Sequence, residues 1–524
     1  MASEKRRRFL PAFAVSFAGF FAVCSAWNLA TPLFAGPDGV SQMARATSIV
    51  RGQLLGPRIP GMAPGYIRVS VPAQFADGFA YRGCFAPYPA RPAGCAPGLP
   101  RSDRMVPFLS YNGREPPLYY LAVGWPSLLD RGASSMWLMG LVSSALVALC
   151  LGIAAGAAYA WSRSTLLVMG VAVAATPLAI NLGGEVNPSG LEIAAAVCAW
   201  TVGLTLALDD SRSVRTANVA ALTFAAALLA LVRPLGPLWL VLEGAVLAVA
   251  AGPARRRLLY ANRTLRAGLA VILVACAASL SWTLAAHSLD LIPVGPRVTA
   301  RTPVLRVLHL GMDRLAEDIK EYPGFDVPAE VPSSWPVEVA WGAAASGLVL
   351  GALVWARARH RRSLVLYLVL AFATAAGLIV GHAFKDGFLY SQGRYTLPIA
   401  VGIPLLAASV LPSTLPAGWR LASRAAAGVL VLGQAANFLR VLHRYTVGAH
   451  GPLDMLARVP DRWQPPIGVP GVLVLFLVPA AFLGAALARS AWPGRRRLPA
   501  HRRLPAHRRA AGRRRARRTS RSTT

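Results

Sequence analysis

The sequence predicts an all-α polytopic membrane protein: a bundle of about twelve transmembrane helices, ten to fourteen at the limits, with a large first outer loop containing a juxtamembrane helix. Three observations lead there. Hydrophobic residues make up 55% of the 524 and charged residues only 15%, a balance far from that of a soluble domain. Stretches apolar enough to cross about 30 Å of hydrocarbon recur along the chain. Basic clusters stand between them.

The apolar stretches are read at 9–30, 133–160, 164–182, 188–208, 217–232, 235–252, 265–288, 337–357, 363–383, 395–412, 421–441 and 469–490. RPLGP at 233–237 divides two of them, which read either as separate spans or as one kinked helix. The first has a basic start like a signal peptide, but its apolar run exceeds a usual signal core, so it reads as an uncleaved span.

The chain carries 54 basic and 22 acidic residues, a formal charge of +32. Such a charge suggests nucleic acid, yet its distribution suggests topology. EKRRR at the start, Arg163, DDSRSVR at 209–215, ARRRLLYANRTLR at 254–266, ARARHRR at 356–362, Arg420 with Arg424, and the tail all fall on one side if the spans alternate. Short basic loops stay cytoplasmic, so both termini are placed inside a plasma membrane crossed many times. Residues 1–490 form the membrane domain. Residues 491–524, with thirteen arginines from Arg495 to Arg521 and RLPAHR twice, read as a disordered cytoplasmic tail held by anionic inner-leaflet lipids. No aromatic platform is interleaved there, so no nucleic-acid partner is expected.

The opposite face receives the loop 31–132, NLGGEVNP, RPLGP, the loop 289–336, KDGFLYSQGR and the segment 442–468. In the second long loop Leu308, Met312, Leu315 and Ile319 recur at helical spacing while Asp313, Glu317, Asp318 and Lys320 face elsewhere, which predicts an interfacial covering helix without chemistry. Cys24, Cys150, Cys198 and Cys276 lie in apolar runs, as small hydrophobes do. Cys84 and Cys95 lie in the Pro/Gly-rich first loop, where an oxidising exterior favours a disulfide.

Acids and bases on that outer face supply the candidate chemistry. After the first span, Val40, Met43, Thr47, Val50 and Leu54 predict a helix lying along the membrane. Asp38 opens it, and its position favours an N-cap whose carboxylate accepts a backbone N–H; the alternative is a general base or metal ligand. Glu115 precedes two prolines that start a helix bearing Tyr119 and Tyr120, read as an aromatic belt pair or as substrate-facing groups beside a second acid. Glu185, Asn187 and Glu192 stand at a membrane border, where acids must be partnered or wet. Arg233, Lys385 and Arg394 are cations suited to phosphate or to lipid headgroups. Glu243, deeper in its span, reads as a paired structural charge or part of a proton path. Gln42, Gln392 and Tyr395 complete the polar lining.

The PDG segment, EPPLYY at 115–120, NPSG at 187–190 and QGRYTLP at 392–398 resemble an actinobacterial family of predicted membrane proteins, domain of unknown function 2142. That family resembles in turn the C-type (GT-C) superfamily of integral-membrane glycosyltransferases. The resemblance reaches to about residue 490. It implies a GT-C-like bundle, a polyprenyl-phosphate-linked sugar as donor, and an acid of the first outer loop, matched by Asp38, that serves the transfer. Arg394 in QGRY is the choice for the lipid phosphate. Members carry Asp-Glu and then a His where this chain has Asp38-Gly39 and Gln42, so a divalent metal has no clear ligand motif and no cofactor is assigned. The function expected is a membrane glycosyltransferase acting on an envelope glycan, lipid or protein acceptor at the extracytoplasmic face. The alternatives are a transporter or flippase for an envelope precursor, and a non-catalytic envelope-assembly protein.

Overall fold

The computed structural model describes residues 2–490 except 131, 210, 212, 291, 293, 300, 325–330, 332–333 and 413–416. Helix α1 (Ala2–Ala30) leads into the first outer loop, which holds α2 (Gly39–Ile49), β1 (Ile67–Pro72), α3 (Ala73–Ala76), α4 (Gly78–Gly83), β2 (Met105–Ser110) and α5 (Pro117–Gly124). The bundle continues with α6 (Ala133–Trp161), α7 (Leu167–Ala174), α8 (Pro177–Gly184), α9 (Pro188–Ala207), α10 (Thr216–Val232), α11 (Gly236–Ala261) and α12 (Arg263–Ala286). The second outer loop carries α13 (Val304–Glu321). After it come α14 (Trp335–Trp355), α15 (Ala358–Asp386), α16 (Gly393–Ala400), α17 (Gly402–Val410), α18 (Ala417–Val447) and α19 (Gly468–Ser490).

All twelve apolar stretches are helical. Among the described residues ten helical segments are long and apolar enough to cross a membrane, and α7 with α8, bent by 61°, make an eleventh if counted together. The bend has a local cause: Pro177 cannot continue α7, and Thr176 caps α8 by accepting the Ala179 N–H at 3.2 Å. Helix α10 is a shorter apolar helix of 17 residues. The RPLGP stretch separates two helices, α10 and α11, and does not kink one. Helix α18 extends to Val447, so the loop expected from 442 starts later. The chain divides after Ala491; the arginine-rich tail, like the Arg420 side chain, lies outside the described residues.

Every residue of α9 is buried, which makes it the axis of the bundle. Its 20 residues span about 30 Å at the α-helical rise. At one end Asp209 pairs with Arg215 at 3.5 Å and Arg163 at 3.9 Å, and Arg255 donates to the carbonyls of Leu206 (2.9 Å) and Ser211 (2.6 Å). Basic clusters read from three separate loops thus meet at one end of α9. At the other end Asn187 caps the helix through the Ser189 N–H and donates to Pro37 O at 3.0 Å. That end faces the outer loops.

The first outer loop is more structured than its composition suggested. Strands β1 and β2 pair antiparallel, Ile67 opposite Ser110 and Pro72 opposite Met105, an element not read from the sequence. Cys84 and Cys95 form a disulfide with Cα atoms 6.0 Å apart. Arg444, near the end of α18 and 1% exposed, donates to the carbonyls of Phe85 (2.8 Å), Tyr88 (3.2 Å) and Arg91 (2.7 Å), fastening the disulfide loop to the bundle.

Candidate functional site

Helix α2 does not lie on a surface. Residues 40–49 are all buried, and the helix stops at Ile49, leaving Leu54 half exposed beyond it. Asp38 precedes the helix in the left-handed region (φ 57°, ψ 15°), and its side chain makes no capping bond. The expected N-cap role is therefore wrong. With the backbone turned this way, the carboxylate leaves the helix and accepts Arg394 Nη2–H at 2.6 Å and the Tyr111 hydroxyl at 3.2 Å. Gly36 lies against the Glu185 carboxylate, where a Cβ would fall 1.9 Å from Oε2 and displace that side chain. Burial and the charge of Asp38 push the Tyr111 hydroxyl well above the usual tyrosine range, so it stays a donor.

Arg394, at the start of α16, is 1% exposed, whereas the Asp38 side chain is 26% exposed. The pair thus joins a fixed cation to an acid that solvent reaches. The same Nη2 lies against Gln392 and within 3.2 Å of the Tyr395 hydroxyl. The Tyr395 ring lies between two guanidinium groups, Arg394 at 5.1 Å and Arg233 at 5.5 Å from its centroid.

Arg233 stands in the break between α10 and α11 and reaches two acids, Glu115 at 3.5 Å and Glu192 at 3.6 Å. It also donates to Ser189 Oγ at 3.2 Å. Glu192 accepts the Trp239 indole N–H at 2.9 Å, the partner that a border carboxylate requires. Glu115 accepts from Asn112 at 3.3 Å and from the Tyr120 hydroxyl, which also contacts Gln42. Tyr119 and Tyr120 are both fully buried, not an interfacial belt. Tyr119 bonds Ser143 at 3.0 Å. Arg45, whose guanidinium burial lowers to about 10, donates to Glu115 O at 2.9 Å and to Leu54 O at 2.8 Å. One network of alternating charge therefore runs from Asp38 through Arg394, Tyr395 and Arg233 to Glu115 and Glu192.

A family model described as predicted membrane protein, DUF2142, matches residues 21–403. This chain belongs to that family. The matched span of this DUF2142 protein contains the whole network, Asp38, Glu115, Glu192, Arg233, Arg394 and Tyr395. No curated protein matches. Among solved structures, ArnT from Cupriavidus metallidurans bound to undecaprenyl phosphate is similar at 14% identity and a TM-score of 0.37, over 86% of this chain and 75% of ArnT.

Lys385 and Glu243 lie apart from the network. Lys385 is exposed; it donates to Leu289 O at 3.1 Å and lies 3.7 Å from Asp386. Glu243 is 3% exposed and its Oε2 has no hydrogen-bond partner, so the paired structural charge expected there is not what forms. Among the described residues no group of three or more His, Cys, Asp or Glu is arranged to hold a metal ion.

Helix α13 also departs from expectation. Leu315 is buried with Val307 and Gly311, while Leu308, Met312 and Ile319 remain exposed. Asp318, expected to face away from the protein, is fully buried because it serves a neighbouring loop. The network members that sequence reading missed are Tyr111, Asn112, Arg45 and Trp239. YNGREPP places two of them beside Glu115, a local signal, while Arg45 lies in a mixed helical stretch and Trp239 in an apolar one, and neither context announces a role.

Proposed function

We propose that this protein is a membrane glycosyltransferase that moves a sugar from a polyprenyl-phosphate donor to an envelope acceptor at the face opposite the basic clusters. That face is the extracytoplasmic one, with both termini inside, because short loops rich in Lys and Arg stay cytoplasmic. The observation that carries the reading is the Asp38–Arg394 pair: a solvent-reached carboxylate held 2.6 Å from a buried guanidinium at the loop end of the bundle. A base and an anion-binding fork side by side suit direct, inverting transfer.

In that reaction Asp38 takes the proton of an acceptor hydroxyl as its oxygen attacks the anomeric carbon. The bond from that carbon to the phosphate oxygen breaks, and its electron pair leaves with the polyprenyl phosphate. Arg394 stabilises the departing charge. An incoming phosphate competes with Asp38 for the Arg394 fork, so donor binding releases the base. Tyr111 then remains as the hydroxyl holding Asp38 in place. Arg233, saturated by two acids, acts by holding Tyr395 beside Arg394, and Glu115 anchors the start of α5 instead of serving as a second acid.

A second reading, a transporter or flippase for an envelope precursor, is favoured by Glu243, a buried carboxyl inside a span with an unpartnered oxygen. Transfer of labelled sugar in membranes supplied with a panel of polyprenyl-phosphate sugars separates the two. Product that disappears in Asp38→Ala and Arg394→Ala at matched abundance supports transfer. Absence of product with every donor, from folded protein, sinks it.

A further inference from the structure

The chain around Arg394 is held by an element outside the network. Helix α13 reaches the chain on both sides of Arg394 by three side chains. Asp318 accepts the Ser391 hydroxyl, Glu321 accepts the Gly393 N–H at 2.6 Å, and Tyr322, just past the helix, donates to Thr396 Oγ1 at 3.0 Å. Arg314 closes the set, bonding Asp318 at 2.8 Å and Glu321. Gly393 permits the approach, since a Cβ there would lie 2.6 Å from Asp318 O and 2.8 Å from Glu321 Cβ.

Enclosing two carboxylates beside a partly exposed arginine gains little stability over a well-packed apolar contact. What such a set provides is direction: fixed acceptors for fixed donors of the loop. The opposite consequence appears on the rest of the helix, where Leu305, Leu308, Met312 and Ile319 are exposed about a third of a turn from the packed row. Helix α13 thus presents an apolar row outward while its inner row grips the loop that carries Arg394.

We propose that Asp318 and Glu321, balanced by Arg314, are positioning residues for Arg394 that fix the angle at which its guanidinium meets Asp38 and a lipid phosphate. The inference rests on the lipid-phosphate reading given above and extends it to a helix outside the site.

The test uses the full chain in lipid nanodiscs with a polyprenyl monophosphate and the corresponding polyprenyl alcohol as probes, read as the ratio of their dissociation constants. The preference for phosphate falls about tenfold or more in Arg394→Ala and about tenfold in Glu321→Leu. It falls about threefold in Ser391→Ala, which removes only the loop hydroxyl. Glu321→Gln, whose amide oxygen still accepts the Gly393 N–H, recovers most of it. A merely structural role would lower the unfolding midpoint and leave the ratio alone. A native ratio in both Glu321→Leu and Ser391→Ala, with Arg394→Ala still losing it, overturns the inference and spares the site. A native chain that binds phosphate and alcohol equally overturns both. Should Glu321→Leu fail to fold, Ser391→Ala decides.

Discussion

Asp38 and Arg394 stand 356 positions apart in the chain and 2.6 Å apart in space. The contact closes the first outer loop onto the start of α16, and it pairs the most exposed acid of the network, at 26%, with a guanidinium that is 1% exposed. Its energetic coupling should be measurable. In a double-mutant cycle of Asp38→Ala and Arg394→Ala, thermal unfolding in detergent should give an interaction free energy of about 1.5–3 kcal/mol. Additive single effects would mean that the pair is not formed in solution.

Arg233 should be the least replaceable cation in the network. It faces Glu115 and Glu192, whose side chains are 13% and 4% exposed. Arg233→Ala should cost about 3 kcal/mol by leaving two buried acids without their cation, and adding Glu192→Gln should return part of that loss. Equal stability of the single and double variants would contradict the bridge.

Burial pushes the Asp318 carboxyl up to about 6, against the opposing pull of Ser391 and Arg314, with Glu321 adding to the rise. Its ordinary value is about 3.9. The folded state therefore holds the extra proton between these values, and this contribution to stability is complete below about pH 4 and lost as pH rises through about 6. Unfolding midpoints across that window should fall for the native chain and flatten in Asp318→Asn, where Arg314, Glu321 and Tyr322 remain. An unchanged slope in Asp318→Asn would assign the pH dependence elsewhere.

The disulfide should matter to the outer loop more than to the bundle. Cys84 and Cys95 are 11 positions apart, and closing a loop of that size stabilises by about 3 kcal/mol in the chain-entropy account. Reduction should make residues 84–95 more open to limited proteolysis while the transmembrane helices keep their far-UV signal. Arg444→Ala should open the same segment with the disulfide intact, since it removes the three carbonyl contacts.

Sidedness is testable with single cysteines in a chain otherwise free of them. Tyr88 and Tyr260 are both exposed, one in the first outer loop and one after the Gly252 break in α11. A membrane-impermeant maleimide added to intact cells should label Tyr88→Cys and spare Tyr260→Cys. The reverse pattern would invert the topology and with it the compartment of the site.

The sequence by itself determined the class and the helical spans, and it marked the basic loops of which three meet at one end of α9. Each is a sum over neighbouring residues: the length of an apolar run, or the count of arginines in a loop. It also supplied most members of the polar network, because an acid beside a span is conspicuous there. Only the tertiary structure decided what those groups do. Asp38 fits an N-cap by position, and the left-handed backbone at 38 turns it instead toward Arg394. Asp318 looks like part of the solvated face of an amphipathic helix, and it is fully buried where it accepts the Ser391 hydroxyl. Lys385 and Arg394 look equivalent in FKDGFLYSQGRYTLP, yet one is exposed and the other is enclosed. The physical reason is common to these cases: hydropathy is local, whereas a hydrogen bond or ion pair depends on which distant residue the fold brings within about 3 Å.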